Sequence, residues 1–262
     1  MNFIEANGVS LRYALAGSGK MLVLIHEMGG TMESWDLVVP ALSAKRRVLR
    51  YDTRGAGFSE KIRGVLKIDA MTDDLVALLD ALGITEKVAL AGTAVGGAIA
   101  LHMAVRFPER VAAVIATSPA ISIPPANRAA VLARVAKFES EGLRPAVDAT
   151  AANGYPVELR QDTARFEGFR ARWLANDPAS FAAIYRMLAD MDLSGELARI
   201  ACPVLVIGGG YDRGRPPAVA EPIARAIPGA TFKVLPTGHY AALQTPELVV
   251  AAIEEFLQHV GA

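Results

Sequence analysis

The chain has 262 residues, 52% of them hydrophobic and 21% charged, a composition typical of one well-packed globular domain. Lysine plus arginine and aspartate plus glutamate both number 27, so the net charge is zero and does not favour nucleic acid, a membrane surface or a polyanionic partner. The single cysteine, Cys202, excludes an internal disulfide and a cysteine-based metal cluster, and its apolar neighbourhood predicts a buried structural thiol. We therefore expect a small-molecule substrate and neither a metal nor a cofactor, and we leave a homodimer open.

The sequence shows no targeting or membrane-spanning pattern. It opens with MNFIEANG, without a basic segment and a following apolar run. No later apolar stretch reaches membrane-spanning length without a charge or a glycine. On this pattern we expect a soluble cytoplasmic protein.

Eight short segments have the pattern of β-strands. The first two flank Asn7-Gly8, a dipeptide that favours a tight hairpin turn. The next six are continuous apolar runs, as expected for strands buried on both faces of a parallel sheet. The predicted strands are Asn2–Glu5, Ser10–Ala14, Met21–Ile25, Arg47–Tyr51, Lys87–Ala91, Val111–Thr117, Pro203–Ile207 and Thr231–Leu235.

Helical patterns alternate with most of these strands, which predicts an α/β fold: a mainly parallel, twisted sheet of about eight strands flanked by helices. The predicted flanking helices are Ser34–Ser43, Ile68–Leu82, Val95–Arg106, Pro217–Ile227 and Pro246–His259. Residues 121–199 contain no convincing strand and are expected to form a helical lid inserted after the sixth strand, with residues 1–120 and 200–262 as the core. The predicted lid helices are Asn127–Glu141, Arg160–Ala175 and Pro178–Met191.

A strand, a sharp turn and a helix meet in the sequence Leu90-Ala91-Gly92-Thr93-Ala94-Val95-Gly96-Gly97. This is the pattern of a nucleophile elbow, G-x-S-x-G, in which a strained turn lifts the central side chain clear of the sheet. Alanine stands at that central position, where the chemistry needs a serine. We therefore expect Ala94 to occupy the nucleophile position of an otherwise serine-dependent site.

An acid and a histidine follow in the chain order that this kind of site requires. Asp212 comes after the strand Pro203–Ile207, and His239 comes after the strand Thr231–Leu235. Since the carboxyl ends of parallel strands share one edge of the sheet, both side chains are expected beside Ala94.

The loop His26-Glu27-Met28-Gly29-Gly30 follows the strand Met21–Ile25 at the place where such a fold supplies an oxyanion-hole amide. We assign the two donors to the backbone N–H groups of Met28 and Val95, the second of which also begins a helix. His26 is expected to brace this loop.

Together these segments resemble the α/β-hydrolase superfamily. Over nearly its whole length the chain is most similar to the 3-oxoadipate enol-lactonase group. The segment Asp52-Thr53-Arg54-Gly55-Ala56-Gly57-Phe58-Ser59 resembles the structural D-x-R-G-x-G-x-S motif of these enzymes. The resemblance implies hydrolysis of a small carbonyl substrate, namely a lactone, an ester or a ring-fission product of aromatic catabolism. Expected substrate contacts are Glu27, Trp173, Arg213 and Tyr240.

The alanine leaves several interpretations open. An engineered or a natural replacement of serine would leave a hydrolase that binds substrate without turning it over. Amide hydrolysis on the same machinery is an alternative activity. The chain could instead be a small-molecule receptor on a hydrolase scaffold, or His239 could act alone as a general base, as in cofactor-free oxygenases of this fold.

Overall fold

In the computed structural model, residues 2–262 form a single eight-stranded sheet with helices on both faces. The strand order is β1-β2-β4-β3-β5-β6-β7-β8. β1 and β2 are antiparallel to their neighbours, and β3 to β8 all run parallel to one another. The strands are β1 (Asn2–Ala6), β2 (Val9–Ala16), β3 (Met21–Ile25), β4 (Arg47–Tyr51), β5 (Val88–Thr93), β6 (Val111–Thr117), β7 (Val204–Gly209) and β8 (Thr231–Leu235).

The predicted α/β-hydrolase architecture is confirmed, since all eight predicted strands are present. Every residue of β3, β5 and β7 is buried, as expected for strands covered on both faces. The same expectation is wrong for β8, which lies at the edge of the sheet and has only Leu235 buried. The chain order crosses over at the centre of the sheet, where β3 lies between β4 and β5. The carboxyl ends of the parallel strands, where ligands bind in such sheets, lie along one edge.

Within residues 2–262, ten α-helices connect or follow the strands. They are α1 (Val39–Ser43), α2 (Ile68–Ala81), α3 (Val95–Arg106), α4 (Pro125–Glu141), α5 (Val147–Gly154), α6 (Thr163–Leu174), α7 (Pro178–Asp190), α8 (Pro217–Arg225), α9 (Ala241–Gln244) and α10 (Pro246–His259).

The single helix predicted over Ser34–Ser43 is wrong. The structure has a 3₁₀ turn at Met32–Trp35 and then α1, with Pro40 in its first turn. Because proline has no backbone N–H, Pro40 cannot continue a preceding helix but fits the first turn of a new one.

Helices α4 to α7 lie between β6 and β7, and we call residues 121–199 the helical insert. The helix α5 was not predicted. The insert shares an aromatic cluster with the segment after β8, where Phe169 and Tyr240 have ring centroids 4.3 Å apart. This cluster packs the insert against the end of the sheet that carries Ala94.

Candidate active site

Ala94 lies in a sharp turn between β5 and α3. Its backbone has φ 52° and ψ −111°, a conformation that residues with a Cβ rarely adopt. Its N–H donates to the carbonyl of Thr117 at 2.9 Å, and its own carbonyl accepts from Ala98 at 3.0 Å and from Ala120 at 2.9 Å. These bonds hold the strained residue between the ends of two strands and the start of a helix.

Two glycines make this turn possible. A Cβ on Gly92 would lie 2.3 Å from the carbonyl oxygen of Gly96, and a Cβ on Gly96 would lie 2.3 Å from the carbonyl oxygen of Ile25. Neither approach is sterically tolerable, so both positions need glycine. The spacing predicted from the sequence therefore has a packing reason at each glycine.

Asp212 and His239 are joined by a hydrogen bond of 2.7 Å between Oδ2 and Nδ1. The other oxygen of Asp212, Oδ1, accepts from the backbone N–H groups of Gly214 at 3.0 Å and Arg215 at 2.8 Å. Burial acts to raise the pKa of Asp212, but the attraction and hydrogen bond of His239 outweigh it and the pKa is lowered. Asp212 is therefore an ionised, fully hydrogen-bonded carboxylate that orients the imidazole.

Since Asp212 accepts from Nδ1–H, the lone pair of the His239 ring is on Nε2. Within residues 2–262, Nε2 has no hydrogen-bond partner, and His239 and Ala94 line the same cavity. The imidazole is therefore available as a base toward whatever occupies that cavity.

Met28 and Val95, whose backbone N–H groups are the predicted oxyanion donors, also line this cavity. Neither donates to another group in the part of the chain that the structure describes. Val95 is the first residue of α3, so its N–H also lies at the positive end of the helix dipole. Two unused donors beside Ala94 can stabilise a developing negative charge on oxygen.

His26 holds the loop that carries Met28. Its Nδ1 donates to the carbonyl of Glu27 at 2.7 Å, and its Nε2 accepts from the backbone N–H of Thr53 at 3.0 Å. The carbonyl of Glu27 also accepts from Gly30 at 3.0 Å, which closes the turn. This arrangement matches the bracing role expected of His26.

The helical insert contacts the Met28 loop from the other side. The side-chain amide of Asn176 donates to the carbonyl of Gly29 at 3.0 Å, and a Cβ on Gly29 would lie 2.6 Å from Trp173. Sequence reasoning did not find Asn176, because no local pattern relates a helix end in the insert to a loop after β3. Trp173 also lines the cavity.

The four expected substrate contacts divide into two pairs. Trp173 and Tyr240 line the cavity. Contrary to expectation, Glu27 and Arg213 lie outside its lining. Glu27 is buried and accepts from Ser34 Oγ at 2.8 Å, whereas Arg213 is exposed and pairs with Glu158 at 3.2 Å.

The cavity has a volume of about 950 Å³ and lies between the strand ends and the helical insert. Apolar side chains from α4, α7 and α8 form part of its wall. Among residues 2–262, Asp212 is the sole carboxylate in its lining, and the two arginines there are Arg134 and Arg215. Such a size suits a small organic molecule.

The remaining observations concern the single cysteine, metal-binding clusters and membrane-spanning helices. Cys202 is half-buried rather than buried, and burial raises the pKa of its thiol to about 11. Over residues 2–262, no group of three or more His, Cys, Asp or Glu side chains has a geometry suited to a metal ion. None of the helices in that range has the length and apolar character needed to cross a membrane.

Comparison with known proteins shows the family to which this chain belongs. Residues 18–243 match the Hydrolase_4 model, described as serine aminopeptidase, S33. The chain belongs to this family. It is 30% identical over 258 residues to 3-oxoadipate enol-lactonase 2 of Acinetobacter baylyi, a match that covers 97% of this chain and 96% of that protein.

A second relative is named for carbamate hydrolysis, in Caulobacter sp. strain K31; it is 29% identical over 252 residues, covering 94% of each chain. Among solved structures, a thermophilic esterase from Thermogutta terrifontis with malate bound superposes with a TM-score of 0.94. That match is 28% identical and covers all of both chains. The chain is therefore a member of the α/β-hydrolases with hydrolase relatives over its full described length.

Proposed function

We propose that this chain carries the acyl-transfer site of an ester or lactone hydrolase in which alanine stands in the place of the serine nucleophile. The observation that supports this most directly is the backbone of Ala94. It keeps a positive φ of 52° at the start of α3, on the cavity that Asp212–His239 also line. A strained turn of this kind has a use when it presents a reactive side chain.

In the proposed mechanism, His239 Nε2 accepts the hydroxyl proton of a serine at position 94 while its oxygen attacks the substrate carbonyl carbon. The N–H groups of Met28 and Val95 stabilise the oxyanion. The tetrahedral intermediate then collapses and breaks the bond between its carbon and the leaving oxygen, and the leaving oxygen takes the proton from His239. Water then gives a proton to His239, attacks the acyl-enzyme and releases the acid, and the serine recovers its proton.

With Ala94 the attacking oxygen is missing, whereas every other group stays in place. Removing the nucleophile of a serine hydrolase lowers kcat by about a million-fold, although binding survives. The chain as it stands should therefore bind a substrate that it does not turn over. We further propose that the helical insert acts as a lid whose side chains select the substrate, and that the protein is cytoplasmic.

The test is the Ala94→Ser variant, assayed against an enol-lactone, a 4-nitrophenyl ester, an anilide and a carbamate. We expect the Ala94→Ser variant to hydrolyse the lactone or the ester. We expect this activity to be lost when His239→Ala is added to Ala94→Ser. Turnover of the anilide or carbamate alone would identify the alternative, an amide-bond hydrolase. A folded Ala94→Ser protein without any turnover, whose parent binds one of these ligands specifically, would favour the receptor, and oxygen consumption by the parent would favour the oxygenase.

A further inference from the structure

Glu27 carries a buried carboxylate that takes no part in the site described above. The residue is 4% exposed and stands directly before Met28, whose N–H is a proposed oxyanion donor. Among residues 2–262, no lysine, arginine or histidine nitrogen lies within 4.0 Å of this carboxylate. Burying a carboxylate without a cationic partner costs stability. This cost points to a role that a small or apolar side chain could not fill.

The side chain of Glu27 folds back against its own loop. Its Oε1 accepts from Ser34 Oγ at 2.8 Å, and Ser34 is itself buried in the 3₁₀ turn that follows the loop. A Cβ on Gly30 would lie 2.3 Å from Glu27 Oε1 and 2.6 Å from Ser34 Oγ. The carboxylate therefore packs directly against the backbone of Gly30 and fills the inside of the turn formed by residues 27–30.

The direction of the Met28 N–H depends on residue 27. The carbonyl of Glu27 and the N–H of Met28 belong to one planar trans peptide group, so they point in opposite directions. The carbonyl accepts from His26 Nδ1 at 2.7 Å and from the N–H of Gly30 at 3.0 Å, which orients the peptide plane. The bond from Ser34 anchors the same residue through its side chain.

We propose that Glu27 is a positioning residue, which holds the N–H of Met28 toward the substrate carbonyl by anchoring the loop to Ser34. The carboxylate acts through the backbone and does not touch the substrate. Its effect on catalysis rests on the proposed function, whereas its effect on the order of the loop does not.

The order of the loop provides the first test, in the chain as it stands with Ala94. Nitrogen-15 relaxation gives the order parameters of the Met28 and Gly29 amides, which are about 0.85 for rigid backbone and below about 0.6 for flexible backbone. We expect rigid values in the parent and in Glu27→Gln, because glutamine can accept the same bond from Ser34. We expect flexible values in Glu27→Ala. Rigid amides at both positions in a folded Glu27→Ala protein would overturn the proposal.

Ser34→Ala tests the same anchor from its other end. This variant keeps the Glu27 side chain but removes the hydroxyl that donates to it. We expect the order parameter of Met28 to fall in Ser34→Ala as well, by less than in Glu27→Ala, because the packing against the loop remains. An unchanged order parameter in Ser34→Ala would overturn the role of this hydrogen bond, including in the case where Glu27→Ala does not fold.

Turnover in the Ala94→Ser background provides the second test. Glu27→Ala should lower kcat for a 4-nitrophenyl ester by about ten- to a hundredfold and change KM by less than about twofold, because an oxyanion donor acts in the transition state. Glu27→Gln should restore kcat to within about threefold. The ratio of kcat for an ester to kcat for its thionoester should also fall in Glu27→Ala, because sulfur is the weaker hydrogen-bond acceptor. Loss of kcat in Glu27→Gln as large as in Glu27→Ala would overturn anchoring by the hydrogen bond.

The matched control is Glu33→Ala, which removes the same type of side chain from the turn after the loop. The carboxylate of Glu33 pairs with Arg12 and accepts from Thr31, and it makes no hydrogen bond to residues 26–30. We expect Glu33→Ala to lower the melting temperature while keeping kcat and the ratio of ester to thionoester. An equal fall of kcat in Glu33→Ala and Glu27→Ala would show general destabilisation and would overturn the proposal.

This proposal and the proposed function fail in different ways. A folded Ala94→Ser protein that turns over no ester, with a flexible Met28 amide in Glu27→Ala, would overturn the hydrolase and support the anchoring of the loop. Ester turnover by Ala94→Ser that Glu27→Ala leaves unchanged would support the hydrolase and overturn the positioning role of Glu27.

Discussion

The carbonyl oxygen of Gly154, the last residue of α5, accepts a hydrogen bond of 2.8 Å from the backbone N–H of His239. The same oxygen accepts a second bond of 2.9 Å from Gln244 Nε2. The end of a helix in the insert is thus tied directly to the backbone of the histidine proposed as the base. The position of His239 therefore depends on how the helical insert sits on the sheet.

Gly154→Ala should disturb this contact. A Cβ at this position would lie 2.9 Å from His239 Cβ and 2.9 Å from Tyr240 Cε2, so the helix and the histidine must move apart. A displacement of about 1 Å at a reacting group can lower the rate a hundredfold. In the Ala94→Ser background we expect kcat for an ester substrate to fall by about ten- to a hundredfold.

The control for this change is Gly168→Ala in α6, where the nearest atom to the added Cβ beyond the backbone of the helix itself would be Arg172 Nη1, at 3.5 Å. That contact is ordinary, and alanine favours a helix over glycine by about 0.5–1 kcal/mol. We expect Gly168→Ala to keep kcat and to raise the melting temperature slightly. Equal kcat values for both variants would show that His239 does not depend on the contact with Gly154.

Gln244→Glu should make stability depend on pH. In the structure the side-chain oxygen of Gln244 accepts from the Tyr240 N–H at 3.1 Å while its nitrogen donates to Gly154. A protonated glutamic acid can replace both bonds, but an ionised carboxylate would face the carbonyl oxygen of Gly154. Burial and this repulsion should raise the folded-state pKa of the new carboxyl group above its unfolded value of about 4.3.

Since the folded state then binds more protons than the unfolded state, the stability of Gln244→Glu should fall as the pH rises from 4.3 through the folded pKa. We expect a loss of about 1–3 kcal/mol at pH 8 relative to the parent and a smaller loss at pH 5, measured by urea unfolding. Gln244→Ala is the comparison, because it loses both bonds at every pH. A Gln244→Glu variant that loses the same free energy at pH 5 and pH 8 would contradict this account.

The sequence predicted the parts of the site that depend on local pattern. Ala94 and Asp212 each follow a buried strand and His239 follows the edge strand β8, so periodicity and glycine spacing were sufficient to predict all three at one edge of the sheet. The contacts between the insert and these loops were not predictable, because Gly154 and His239 are 85 positions apart and no local pattern relates them. The same limit applies to Arg213 and Arg215, since the direction of a side chain in a loop depends on partners such as Glu158 that lie far along the chain.

Asp212→Asn should change the acid dependence of stability. The folded-state pKa of Asp212 is lowered, so its stabilising contribution is present above the unfolded pKa of about 3.9 and is lost as the pH falls through the folded pKa. Asparagine cannot ionise and lacks this contribution. We therefore expect the parent to be more stable than Asp212→Asn above pH 4, and the difference to shrink in more acidic solution. A difference that stays constant or grows as the pH is lowered would show that Asp212 is not held as a stabilised carboxylate.

Ala94→Gly should stabilise the protein, although it shortens a buried side chain. The positive φ of Ala94 costs about 1–3 kcal/mol for a residue with a Cβ, and glycine adopts it without strain. The greater conformational entropy of glycine stabilises the unfolded chain by about 0.4–1 kcal/mol, which offsets part of the relief of strain. We expect a net gain of about 1 kcal/mol, or about 2–4 °C in melting temperature.

Ala98→Gly, one turn further along α3, is the matched control and should lose about 1 kcal/mol because its backbone is ordinary helix. If Ala94→Gly is less stable than the parent, the turn does not store strain, and the main support for a displaced nucleophile at this position is lost.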